Sequence, residues 1–142
     1  MRSPASSTRS AARSSDGGAA VVEFVLIASL LIFLLFGVLQ VAVYFYARNV
    51  VAASAADAAR YAASEGVSPG AGAARATRLI GDGLDDADAA GLHCTSHLDR
   101  DAVSGLRVTT VRCHGHIRVL FSPLKMPLTI DVRSSVLREG RS

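Results

Sequence analysis

The hydrophobic pattern divides the chain into two unequal regimes. From Phe24 to Ala47 the sequence FVLIASLLIFLLFGVLQVAVYFYA runs for 24 residues without a formal charge, and Ser29 and Gln40 are its only clearly polar members. At about 1.5 Å per residue such a run covers the ~30 Å hydrocarbon layer of a bilayer with some tilt, so it predicts a membrane-spanning helix. The next stretch, Arg48 to Gly66, changes composition without a helix-breaking residue. Alanine, the best helix former, dominates it, and no proline or glycine occurs before Gly66. Asp57 and Arg60, three residues apart, can pair on its surface. Gly66 and the VSPG that follows supply stop signals. The pattern predicts one helix beginning near Ala19, about 45 residues and roughly 65–70 Å long, half in lipid and half projecting from it.

Beyond Gly66 the periodicity shortens. The segment AARATRLIGD, Ala73 to Asp82, has the spacing of a short amphipathic helix, and GDGLDDADAAGLHCTSHLDRD reads as a turn-rich acidic piece. The period then becomes two, with alternating residues at Leu106, Val108 and Thr110, at Ile117 and Val119, and at Leu128, Ile130 and Val132. This predicts two or three antiparallel strands, separated by Gly115 and by the proline-bounded SPLKMP. So small a sheet needs cover on its apolar face, and the projecting half of the long helix is the obvious cover. The expected fold is α+β: a single long N-terminal transmembrane helix that extends into a small domain with a short helix and a 2–3-stranded antiparallel sheet. The expected boundaries are 1–18 for a leader, 19–65 for the helix and 66–142 for the outer domain.

Charge sets an orientation. Arg2, Arg9 and Arg13 precede the apolar run and only Arg48 follows it closely. An excess of arginine on one flank keeps that flank in the cytoplasm, which predicts a single-pass protein of the cell membrane with its C-terminal domain outside the cytoplasm. The leader MRSPASSTRSAARSSDGG lacks apolar periodicity and reads as disordered. The net charge of +3 is no nucleic-acid footprint, because residues 66–142 nearly balance at ten basic against eight acidic and carry no basic patch with interleaved aromatics.

The candidate chemistry is sparse. Cys94 and Cys113 both fall on the outer side, where an even count points to one disulfide. Closing a loop of about 20 residues stabilises a fold by roughly 3 kcal/mol, which matters for a domain with few large apolar side chains. Four histidines, His93, His97, His114 and His116, lie beside those cysteines. A tetrahedral zinc site of two thiolates and two imidazoles is the competing reading, but the Cys-x18-Cys spacing is not that of a zinc finger, so the disulfide is favoured and no metal site is expected. Asp82, Asp85, Asp86 and Asp88 lack the spacing of a calcium loop and read as a solvated turn. No G-x-S-x-G, phosphate loop or H-E-x-x-H occurs, so the expectation is a non-enzyme without cofactor or small-molecule substrate.

One residue resists this reading. Glu23 sits at the mouth of the apolar run, where a carboxylate is costly unless it has a partner or a task. A basic leader, a small-residue junction at Gly18-Ala19, a glutamate five residues beyond the glycine and an unbroken apolar helix together resemble the class III signal of type IV pilin-like proteins. Within that group, GAAVVEF (Gly18–Phe24), Phe36-Gly37, Arg48-Asn49 and the alanine-rich tract ending in Arg60-Tyr61-Ala62 resemble the TadE-like family of pseudopilins, minor subunits of the tight-adherence (Flp) pilus system. The tail SPLKMPLTIDVRSSVLRE is similar to the closing strand of such proteins, while Gln40 stands where the family often carries a second glutamate.

The resemblance implies a precursor cut by a prepilin peptidase between Gly18 and Ala19, with Glu23 an assembly residue whose carboxylate meets the free Ala19 amine of a neighbouring subunit. It also implies the membrane, the major pilin, other pseudopilins and the pilus assembly platform as partners, and cell adhesion as the cellular context. Three other readings stand beside it. One is a permanently anchored single-pass protein with an extracytoplasmic binding module. Another is a secretory signal cut near Ala52–Ala56, against which the length of the apolar run weighs. The third concerns the small-residue stripe Ala52, Ala55, Ala59 and Ala62, which is either a helix–helix interface or a plain consequence of abundant alanine.

Overall fold

A computed structural model describes residues 16–118 and 128–138. The leader up to residue 15, Val119 and SPLKMP lie outside the described residues. The chain divides into two compact units, one ending at Val38 and one beginning at Leu39.

The first element, α1, runs from Asp16 to Ala63 and is 48 residues long. It therefore starts three residues before the position expected from sequence, with Gly17 and Gly18 already helical. The helix is long and apolar enough to cross a membrane. Its large apolar side chains from Val21 to Val41 are exposed, Phe24 at 72% and Phe33 at 76%. Ser29 satisfies its hydroxyl within the helix by donating to the Val25 carbonyl at 2.7 Å, which is how a polar side chain is accommodated in an apolar helix.

In the second unit the remainder of α1 acquires a buried stripe. Ala47, Val51, Ala55, Ala58, Ala59 and Ala62 recur at three- and four-residue intervals and are essentially inaccessible. Next come α2 (Ala71–Gly83) and a single turn, α3 (Asp86–Ala89). Gly72, Ala76 and Ile80 form the buried stripe of α2. Three strands follow, β1 (Leu92–Arg100), β2 (Arg107–Ile117) and β3 (Leu128–Leu137), antiparallel and in the order β1-β2-β3. Thus the α+β expectation holds, with three strands.

The register puts Leu92, Cys94 and Ser96 of β1, Thr109, Val111, Cys113 and Ile117 of β2, and Ile130 and Val132 of β3 on one face. Side chains alternate across a pleated sheet, so these residues share one side of it. Val111, Cys113, Ile117, Ile130 and Leu92 join Val51, Ala55, Ala58, Ala59, Ala76 and Ile80 in a single hydrophobic cluster. The C-terminal part of α1 and α2 thus cover the sheet, and small residues bring them close. A Cβ placed on Gly72 would stand 3.0 Å from Val111 and 3.1 Å from Ala62.

Three local readings are corrected here, and the face of one predicted strand is settled. The piece expected to be turn-rich contains β1, whose inward residues Cys94 and Ser96 are too small and polar to announce a strand. Gly115 does not separate strands. It lies within β2, opposite Leu92 and Ile130, where a side chain would collide with the backbone of Gly91 and Leu92. The alternation at Leu106, Val108 and Thr110 marks the other face, since Leu106 is exposed and the core face of β2 carries Thr109, Val111 and Cys113. Val108 and Thr110 are nonetheless buried, because β2 is the central strand and flanking side chains cover it. Finally, Asp57 pairs with Arg75 of α2 at 2.7 Å and not with Arg60, because tertiary packing brings α2 alongside.

Tight local chemistry closes the loops. Asp101 begins the β1–β2 turn by accepting from Ser104 Oγ at 2.7 Å and from its backbone N–H at 2.8 Å. Those hydrogen bonds hold the Asp101 carboxyl below its ordinary range. Gly105 then adopts φ +69°, a conformation that glycine takes without steric cost. The acids expected to form a solvated turn are placed differently: Asp82 lies in the last turn of α2, Asp85 caps α3 by accepting from the Asp88 N–H at 2.8 Å, and Asp88 accepts from the Arg118 N–H at 2.9 Å.

Candidate functional site

Two surfaces, the exposed part of α1 and the outer face of the sheet, carry most of the residues singled out by sequence, and the two cysteines lie on the core face of the sheet.

On α1, Gly18 and Ala19 are adjacent and Glu23 follows one turn later. Residues four apart lie on the same face, so Ala19 and Glu23 are stacked one turn from each other. All three are exposed, and Glu23 has no side-chain partner among the described residues. Among the described residues nothing requires glycine at Gly18: a Cβ there would meet none of them within 4 Å. The same holds for Gly37. The stripe of small residues farther along behaves differently. Ala55, Ala59 and Ala62 are fully buried in the core of their own domain, so close approach there serves folding within the chain.

Cys94 and Cys113 are bonded to each other and stand directly opposite on β1 and β2, Cα to Cα 4.1 Å apart. The bond lies on the core face. His93, His97, His114 and His116, at odd offsets from the cysteines, therefore fall on the opposite, outer face and are exposed. Alternation across the pleat separates imidazoles from sulfurs, and oxidation consumes the thiolates that the four-ligand zinc reading required. No group of three or more His, Cys, Asp and Glu side chains stands together as a metal cage among the described residues.

That outer face is polar and organised by ion pairs. Arg112 of β2 forks onto Asp131 of β3, with Nε donating to Oδ1 at 2.9 Å and Nη2 to Oδ2. This pairing holds the Asp131 carboxyl below its usual range and raises the Arg112 guanidinium further. Arg133 donates to Asp99 at 3.3 Å, and His97 Nε2 lies 3.9 Å from the same carboxylate. Two open clefts run along the face. One of about 260 Å³ is lined by Arg112, His114, His116 and Asp131, and one of about 510 Å³ by His97, Asp99, Arg112 and Arg133. The bidentate Arg112–Asp131 pair and the contacts of Asp99 could not be read from sequence, because strand register is not written in local periodicity and β1 itself was not legible there.

Comparison with known proteins bears on the first surface. Residues 18–60 match the model of a family described as TadE-like protein. The chain carries a TadE-like segment. The match opens at Gly18, contains Glu23 and ends three residues before the last residue of α1, so it covers the exposed helix and most of the buried alanine stripe. The three-stranded sheet and its histidine face lie outside the TadE-like match. Neither the curated proteins nor the solved structures include a significant match.

Proposed function

We propose that this chain is a pseudopilin, a structural and non-catalytic minor subunit used in assembly of a tight-adherence pilus. The observation that carries the reading is the coincidence of the TadE-like match with a helix whose large apolar side chains are exposed among the described residues. Such a surface is stable in lipid or against other helices, and one helix supplies both needs at successive stages of assembly. The proposed topology is single-pass, with residues 1–18 a cytoplasmic leader, 19–65 the transmembrane and projecting helix, and 66–142 the extracytoplasmic domain.

Processing falls between Gly18 and Ala19. A glycine with open space around it is not explained by packing against the described residues, and it suits recognition by a prepilin peptidase that needs a small residue. The new Ala19 amine then meets the Glu23 carboxylate of a neighbouring subunit. Within one helix the two positions are one turn apart, so adjacent subunits need only a short axial offset to bring amine and acid together. Opposite charges attract strongly in a low-dielectric bundle, which accounts for a carboxylate at this depth. The partners are the prepilin peptidase, the major pilin, other pseudopilins and the assembly platform in the membrane.

The test is the N-terminus of the protein taken from membranes of cells with an active prepilin peptidase, together with a Glu23→Ala variant. An N-terminus at Ala19 and a variant that inserts normally but fails to assemble support the proposal. A start at Met1 with wild-type behaviour of Glu23→Ala sinks it and leaves a permanently anchored binding module.

A further inference from the structure

The outer face of the sheet holds a feature that neither the helix nor the family match uses. His93 of β1 and His114 of β2 are direct cross-strand partners, and the row continues to Asp131 on β3. The two imidazoles are exposed, with ring centroids 6.3 Å apart and planes tilted by 54°. Their immediate neighbours in sequence, Cys94 and Cys113, are joined by the disulfide on the opposite face. The covalent bond pins strand register at the very next residue pair, so the two rings cannot slip relative to each other along the strands.

We propose that His93 and His114 form a two-imidazole chelate for a borderline divalent transition-metal ion, Zn²⁺, Ni²⁺ or Cu²⁺. Such an ion binds imidazole nitrogen at about 2.0–2.1 Å, which allows the centroids of two rings sharing it to be up to roughly 6.4 Å apart, and closer when the angle at the metal is tetrahedral. The separation found is already inside that limit, and a modest swing of exposed side chains brings both nitrogens onto one ion. Borderline ions favour imidazole, whereas Mg²⁺ and Ca²⁺ want oxygen donors that this pair does not offer. Asp131 is not needed as a ligand. It remains on Arg112, and in doing so offsets a positive charge that would otherwise oppose a cation in the adjoining cleft. Two protein ligands leave the remaining coordination positions to water or to a donor from another molecule.

The experiment uses the untagged full chain in detergent micelles with its disulfide intact, titrated with Cu²⁺ and read by electron paramagnetic resonance. Expected is one Cu²⁺ per chain with nitrogen coupling from two imidazoles, unaffected by excess Mg²⁺ and displaced by Zn²⁺ only in large excess, because nitrogen donors hold Cu²⁺ more tightly. His93→Gln and His114→Gln each weaken binding by about tenfold or more, while His97→Gln leaves it unchanged. Wild-type affinity in both His93→Gln and His114→Gln, or no nitrogen-coupled copper in the wild type, overturns the proposal. Zn²⁺-induced shifts of the ring protons in the unsubstituted protein give a second readout that does not depend on variant folding. Shifts concentrated on His93 and His114 support the chelate, and shifts confined to His97 and His116 refute it.

Discussion

Arg138 donates through Nη1 to the carbonyl of Ala62 at 3.2 Å, tying the residue after β3 to the end of a helix 76 positions earlier. Its Nη2 donates to the Val67 carbonyl at 2.9 Å. The last carbonyls of a helix lack partners within it and carry partial negative charge, so a guanidinium placed there satisfies both deficits. Arg138→Gln should therefore destabilise the domain by about 1–3 kcal/mol, the range for losing charge-assisted hydrogen bonds. Hydrogen exchange should reveal the loss first at the end of α1.

Two glycines make opposite predictions. A Cβ on Gly72 would lie 2.6 Å from Ser96 Oγ and against Val111 and Ala62, so Gly72→Ala should cost about 1–3 kcal/mol by overpacking. Gly37→Ala meets open space and should leave the stability of the outer domain unchanged. Chemical denaturation of the full chain in micelles, followed by circular dichroism, separates the two.

Adjacent threonines on β2 should also diverge. Thr109 is fully buried and its hydroxyl has no partner among the described residues, whereas Thr110 shares a hydrogen bond of 2.9 Å with Ser135. Thr109→Val keeps the shape and relieves an unsatisfied polar atom, so it should stabilise by about 1 kcal/mol. Thr110→Val removes this hydrogen bond, but Ser135 is exposed and water can replace the lost partner, so the change should destabilise only slightly, by about 0.5 kcal/mol. Equal effects from both substitutions would contradict the assignment.

Acid should weaken the outer face at a defined pair. Arg112 lowers the Asp131 pKa from the ordinary value of 3.8, so the pair's contribution to stability is fully present above that value. It is lost as pH falls through the lower, folded-state value, because protonation removes the charge that Arg112 binds. Carbon-13 titration of the side-chain carboxyl should place the Asp131 midpoint below 3.8, and Arg112→Ala should move it upward. Both side chains are about half exposed, so the effect on overall stability is small.

Much of this protein was legible in its sequence because the signals were local and repeated. The apolar run, the absence of helix breakers before Gly66 and the alanine tract determine α1, since helix formation needs only neighbours along the chain. Gly18, Ala19 and Glu23 were singled out by the resemblance that the leader, the small-residue junction and the apolar helix carry, and the opposite parity of the histidine and cysteine positions already separates those residue types across any strand.

Only the tertiary structure decided where pairs meet. A strand whose inward residues include Cys94 and Ser96 has no hydrophobic alternation to announce it, and it exists because β2 and the disulfide hold it. Arg75 draws Asp57 away from Arg60, and Gly115 is required by the backbone of Gly91, a neighbour in space. The His93–His114–Asp131 row likewise depends on the register of three strands. The sequence determines local conformation and residue parity through short-range periodicity. Long-range partners depend on which surfaces pack together, and that is settled only when the alanine face of α1 closes over the sheet.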